Sequence, residues 1–251
     1  MEVLVRFPRL VLVFTFLLLW LAAWVGLKLN KRWHGLAEDL RVDYSVVLGA
    51  TLTLLGLIIG FSFSMAIGRY DQRKNYEEEE ANAIGTEYLR TDLLPSNGDR
   101  TRELLRQYTD LRIRFYTTRD TDELKQIDAD TTRMQNEMWV AVSRPALTQP
   151  LPVVITLAVG GMNDVINSQG YTLAAWRNRI PGPAWSLLFA TAIFCNALLG
   201  FGVRMPNVKL LMVLPLVVSV AFFLIADIDS PRLGTIRVHP QNLETLREGL
   251  K

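Results

Sequence analysis

The chain has 251 residues, 27 Lys and Arg against 25 Asp and Glu, one cysteine and two histidines, and half of its residues are hydrophobic. A formal net charge of +2 and no basic stripe with interleaved aromatics argue against a nucleic-acid partner. Cys195 alone excludes a disulfide framework and a thiolate metal site, and the spacing of His34 and His239 disfavours a zinc centre or a His-based triad. No phosphate-binding Gly-rich loop or dinucleotide fingerprint is present.

In chain order, the first apolar block is Leu10 to Leu27, preceded by Arg6 and Arg9. It is longer than a secretory signal core, and Trp24 to Lys28 offers no small-x-small cleavage site, so it reads as a retained span. The second block, Ser45 to Gly68, carries no charge across 24 residues and gives way to the collar Arg69-Tyr70-Asp71-Gln72-Arg73-Lys74. About 20 apolar residues are needed to cross ~30 Å of hydrocarbon, and backbone groups inside the bilayer must be satisfied within the helix.

On the second span, Gly49, Thr53, Gly56, Gly60 and Ser64 fall on one helical face. Small residues at this spacing permit close backbone approach, either by another span of the same chain or by a neighbouring subunit. Beside them Leu55, Ile59 and Phe63 form a larger apolar strip at i, i+4 and i+8. Such a strip suits lipid, a protein core or the lining of a pore.

Residues 69–183 form the one stretch long enough for a sizeable water-exposed domain, and its pattern is helical. The second span is expected to continue through Glu77 to Ala83, with Glu77 to Glu80 as a solvated face or, in a symmetric oligomer, a ring of carboxylates that favours cations. After the turn signal Pro95 to Asp99, Leu104, Tyr108, Leu111 and Phe115 recur at helical spacing. Ile127, Thr131, Met134, Met138 and Val142 do the same before Pro145. One apolar stripe on a polar helix calls for partner helices. Leu151 to Met162, short and ending in Gly160-Gly161, reads as a buried or interfacial helix rather than a fifth span.

Ala184 to Val203 and Leu210 to Ala226 complete four spans; Pro215 in the last is tolerated where neighbours recover the freed carbonyl. Asp227 and Asp229 follow at the negative end of the helix dipole, where a carboxylate needs a partner. Arg232, Arg237 or Arg69 suits a salt bridge, and a turn of two carboxylates with backbone carbonyls suits a cation such as Ca²⁺.

The predicted fold is therefore an all-α membrane protein. It has an N-terminal membrane hairpin at 1–68 (spans 10–27 and 45–68), a cytoplasmic helical region at 69–183, a C-terminal hairpin at 184–226 (spans 184–203 and 210–226) and a cytoplasmic tail at 227–251. Ten Lys and Arg near the spans on one side, among them Arg69, Arg73 and Lys74, against six on the other, including Lys28, Arg41 and Arg204, place both termini in the cytoplasm. Within the spans only Asn196 is strongly polar, which argues against a membrane-embedded enzyme.

The run Gly60 to Arg73, with Glu80-Ala81-Asn82-Ala83-Ile84-Gly85-Thr86-Glu87-Tyr88-Leu89-Arg90 and Ala226-Asp227-Ile228-Asp229-Ser230-Pro231-Arg232-Leu233-Gly234, resembles the bestrophin-like family of bacterial membrane proteins, over nearly the whole chain. The resemblance implies a multi-pass protein of the bacterial inner membrane with a distant link to bestrophins, which are pentameric ion channels with four membrane helices per subunit. It further implies a homo-oligomer that passes inorganic ions, with Leu55, Ile59 and Phe63 lining the pore neck. Glu77 to Glu80 replace the aromatic cluster of that pattern, and its dense acidic calcium clasp is reduced to Asp227 and Asp229. The alternative from the residues alone is a non-conducting scaffold or sensor that works through its cytoplasmic helices.

Overall fold

The structure, a computed structural model, describes residues 7–32, 37–94, 97–148, 152–203 and 208–250. Arg6, His34, Pro95, Ser96, Leu151 and Arg204, used in reading the sequence, lie outside them. Among the described residues the secondary structure is helical: α1 (Pro8–Arg32), α2 (Arg41–Arg90), a short 3-10 turn (Thr91–Leu93), α3 (Gly98–Thr117), α4 (Thr121–Thr148), α5 (Pro152–Arg177), α6 (Gly182–Gly202), α7 (Val208–Asp229) and α8 (Gln241–Gly249). Four stretches are long and apolar enough to cross a bilayer: Pro8–Arg32, Arg41–Leu93, Thr156–Gly202 and Lys209–Asp229. The third includes the non-helical residues 178–181 between α5 and α6, and its apolar block lies on α6.

The chain divides into two compact units, 1–69 with 179–237, and 70–178 with 238–251. The segment 227–251, expected as one tail, is shared between them: its first part closes unit 1 and α8 belongs to unit 2.

In unit 1, α1 packs on α6 and α7. The α1–α6 crossing is close because both helices place glycine there. A Cβ on Gly26 would meet the Ala197 carbonyl oxygen at 2.0 Å, and one on Gly200 would meet that of Ala23 at 1.9 Å. Without side chains at these positions the backbones touch, as small residues allow in membranes. Trp185, Phe189 and Phe222 are buried beside them, Phe222 edge to face with the other two and 5.2 Å from Phe189, and the exposed Phe14 meets Phe189 edge to face.

In unit 2, the stripe expected on α3 is buried at Leu104, Tyr108, Leu111 and Phe115, and that on α4 at Ile127, Thr131, Met138 and Val142, with Met134 packed at the edge. These faces meet: α3 lies on α4, α4 on α5, and α3 on α8. The run ending in Gly160-Gly161 is not a separate short helix. It is the first half of α5, whose Ala158, Met162 and Val165 enter the same core, and the two glycines do not stop it because tertiary burial outweighs their weak helix propensity. Asn97 has φ 68°, the left-handed conformation in which Asn is tolerated, and it turns the chain into α3.

Candidate functional site

The second span, on α2, is the least covered of the four. Only 11% of its most apolar window is buried, against 33–50% for the others. The residues picked out in the sequence separate on it. Gly49, Gly56, Gly60 and Ser64 face outward, and a Cβ at any of the three glycines would meet no described atom within 4 Å. Among the described residues, no other span packs against these three glycines.

The larger strip does not behave as one surface. Phe63 is exposed and Ile59 half-buried, but Leu55 is 2% exposed and packs inside its own subunit. This corrects Leu55 as a pore-lining residue. The reason is helical phase: Leu55, Ile59, Ser62 and Ala66 recur every three or four residues and form the seam along which α2 meets the rest of unit 1. Two contacts to α6 hold that seam. The Cys195 thiol donates to the Thr51 carbonyl at 3.3 Å, and the Tyr44 hydroxyl donates to the Leu198 carbonyl.

Asp227 and Asp229 are both nearly fully buried, and their oxygens are engaged by protein donors. Both oxygens of Asp229 accept the Ile180 N–H at 3.1 Å, and Arg69 of the collar lies 3.5 Å from it. Asp227 accepts the Thr235 and Ile236 N–H groups at 2.8–3.0 Å and the Thr235 hydroxyl at 2.7 Å. The carboxylates thus turn away from the helix dipole's negative end toward backbone donors beyond it. Asp227 pins the turn after α7, on which Arg232 is half-buried. Among the described residues no group of three or more His, Cys, Asp or Glu is placed to hold a metal.

In unit 2 the tetraglutamate splits by helical phase. Glu78 and Glu79 are exposed, but Glu77 and Glu80 are 1% and 0% exposed, which corrects the expectation of a solvated face for those two. Glu77 accepts the N–H groups of Asn242 and Leu243 at 3.0 Å and the Asn242 side-chain amide, capping the start of α8. Burial pushes its pKa up, while the donated N–H groups oppose that rise.

Glu80 pairs with Arg112 of α3, itself fully buried, through Nε and, at 3.5 Å, Nη2. Tyr116 and Thr172 donate to the same carboxylate at 3.2 Å. Burial works against the Arg112 charge, but Glu80 and Tyr108 beside it raise its pKa overall, and burial likewise raises the phenols of Tyr108 and Tyr116. The nearby Arg73 is 1% exposed and donates to the Ala175 and Asn178 carbonyls at 3.3 and 3.4 Å, satisfying acceptors at the C-terminal end of α5. Reading by sequence missed Arg112, although it follows Tyr108 by four residues on the apolar stripe of α3. A charge on a buried stripe is the signal that would have found the pair.

The family model described as Bestrophin-like domain matches residues 13–243. No curated protein matches. Among solved structures, two crystal structures of a bacterial bestrophin homologue from Klebsiella pneumoniae are similar in fold, with TM-scores of 0.66 and 0.64, each at 16% identity, covering 95% of this chain and 97% and 96% of theirs. A crystal structure described only as a membrane protein gives a TM-score of 0.64 at 17% identity, covering 95% of this chain and 97% of its own.

Proposed function

Because the chain belongs to the bestrophin-like family, we propose that it assembles as a homo-oligomer, a pentamer by analogy with bestrophins, around a path for inorganic ions bordered by the second span. The observation that carries this reading is the uncovered α2. Its glycines Gly49, Gly56 and Gly60 meet no described residue, and a second copy of the chain is the partner such a face suits, since glycine lets backbones approach closely. Phe63, exposed beside that face, then supplies an apolar constriction of the kind that gates by dewetting, with Ile59 at its edge.

In this reading the protein lies in the bacterial inner membrane with both termini and unit 2 in the cytoplasm, consistent with the Lys and Arg bias around the spans. Asp227 and Asp229 hold structure rather than an ion, so conduction is expected to need no Ca²⁺.

Purified protein in liposomes tests the proposal. Flux of K⁺, Na⁺ or Cl⁻ above empty vesicles is expected, and Phe63→Ala should raise it. No flux from either form, with or without Ca²⁺, would replace the channel by a membrane scaffold or sensor working through unit 2.

A further inference from the structure

Four charged side chains of α2 are buried in unit 2: Arg73, Glu77, Glu80 and Glu87. The first three have partners at hydrogen-bond distance. Glu87 is 0% exposed, and neither of its carboxylate oxygens accepts a hydrogen bond from a described residue. Its tip rests on the backbone of α5. A Cβ at Gly161 would lie 2.0 Å from Glu87 Oε2 and 2.3 Å from Arg90 Nη1, so both side chains occupy the room that the glycine leaves.

The charged groups around the carboxyl are few. Arg90, one turn further along α2, favours the ionised form, and Asp164 of α5 opposes it. The 3-10 turn that packs beside α5 carries Asp92, which is exposed and paired with Arg102. A carboxylate without donors in a closed site is disfavoured against the neutral acid, which loses far less on leaving water.

We infer that Glu87 is a proton-operated latch: the neutral acid lets α2 and α5 close on one another at Gly161, and loss of its proton opens that crossing to water. Burial, reinforced by Asp164 and opposed by Arg90, raises the pKa from 4.5 to about 8. Since the closed form holds the proton more tightly than the open one, its advantage is complete below pH 4.5 and is lost as pH rises through 8. The latch therefore works between pH 4.5 and about 8, from mildly acidic to slightly above neutral, and is flat at higher pH. It is independent of whether the protein conducts.

Amide hydrogen exchange of the full-length protein in detergent, from pH 6 to 9 and corrected for intrinsic rates, tests this at Ile84 to Thr91 and Ala158 to Asp164. The opening constant there should rise by up to about tenfold per pH unit and level off above pH 8. Glu87→Gln, neutral at every pH, should remove the rise. Gly161→Ala, which pushes the carboxyl and Arg90 aside, should move its midpoint to lower pH. Opening that does not vary with pH in the unsubstituted protein, or the same variation in Glu87→Gln, would overturn the inference. If Glu87→Gln does not fold, the unsubstituted protein and Gly161→Ala decide it.

Discussion

Along the 50 residues of α2 the buried positions keep one spacing while their chemistry changes. In the apolar half they are Leu55, Ser62 and Ala66; in the half that belongs to unit 2 they are Arg73, Glu77, Glu80, Ala81, Ile84 and Glu87. The first set carries no charge. The second must find a partner for each ion or, as at Glu87, hold the acid neutral, because an unpaired ion away from water is expensive. One helix thus packs with loose chemical demands in one unit and strict ones in the other, and substitutions on its two halves should fail in different ways.

The sharpest break is in the charged half. Glu80→Ala leaves the Arg112 guanidinium buried without its carboxylate, and should cost about 3–5 kcal/mol in denaturant unfolding. Removing both charges together, as Glu80→Leu with Arg112→Met, should return much of that loss. If the double variant is no more stable than Glu80→Ala, the pair is not what holds α2 to α3.

Next come the glycines of the membrane unit, where the comparison is between covered and open faces. Gly26→Ala or Gly200→Ala drives a Cβ onto a carbonyl oxygen of the facing backbone, which cannot yield as a side-chain tip can; a loss of about 1–3 kcal/mol is expected from thermal unfolding. A Cβ at Gly56 meets no described atom within 4 Å, so Gly56→Leu tests the open face. It should leave secondary structure intact and lower the assembled mass in detergent, and an unchanged mass would remove the case for a subunit seam there.

The smallest effect is expected at Glu77. Glu77→Ala takes the acceptor from the first N–H groups of α8 and should cost about 0.5–2 kcal/mol. Faster proteolysis between Val238 and Gly249, with cleavage elsewhere unaltered, is the readout that separates loss of a cap from general destabilisation. A uniform increase in cleavage would count against the cap.

Much of this architecture was legible because it rests on contiguous residues. Hydrocarbon asks for a long uncharged run, and Ser45 to Gly68 satisfies that by itself. The stripes Leu104 to Phe115 and Ile127 to Val142 were likewise readable, since a 3.6-residue period assigns a face without naming a neighbour. The same logic misled at Leu55 and at Glu77 and Glu80. Leu55 shares an i, i+4 strip with Ile59 and Phe63, but four residues advance a helix by slightly more than a full turn. Over eight residues the strip drifts off the exposed surface and into the seam. The glutamates look alike as a run, yet helical phase divides them into two outward and two inward.

The sequence by itself determined the four spans, the helical character of the region between them and the faces that must be buried, because these depend on composition and period within one element. Only the tertiary structure decided which partner each face meets. Glu80 finds Arg112, Glu77 finds the start of α8, and Asp229 finds the Ile180 N–H, each across many intervening residues. It also decided that Glu87 finds no hydrogen-bond donor among the described residues. Burial of a charge is governed by what other elements bring to it, and period along one helix carries no record of that.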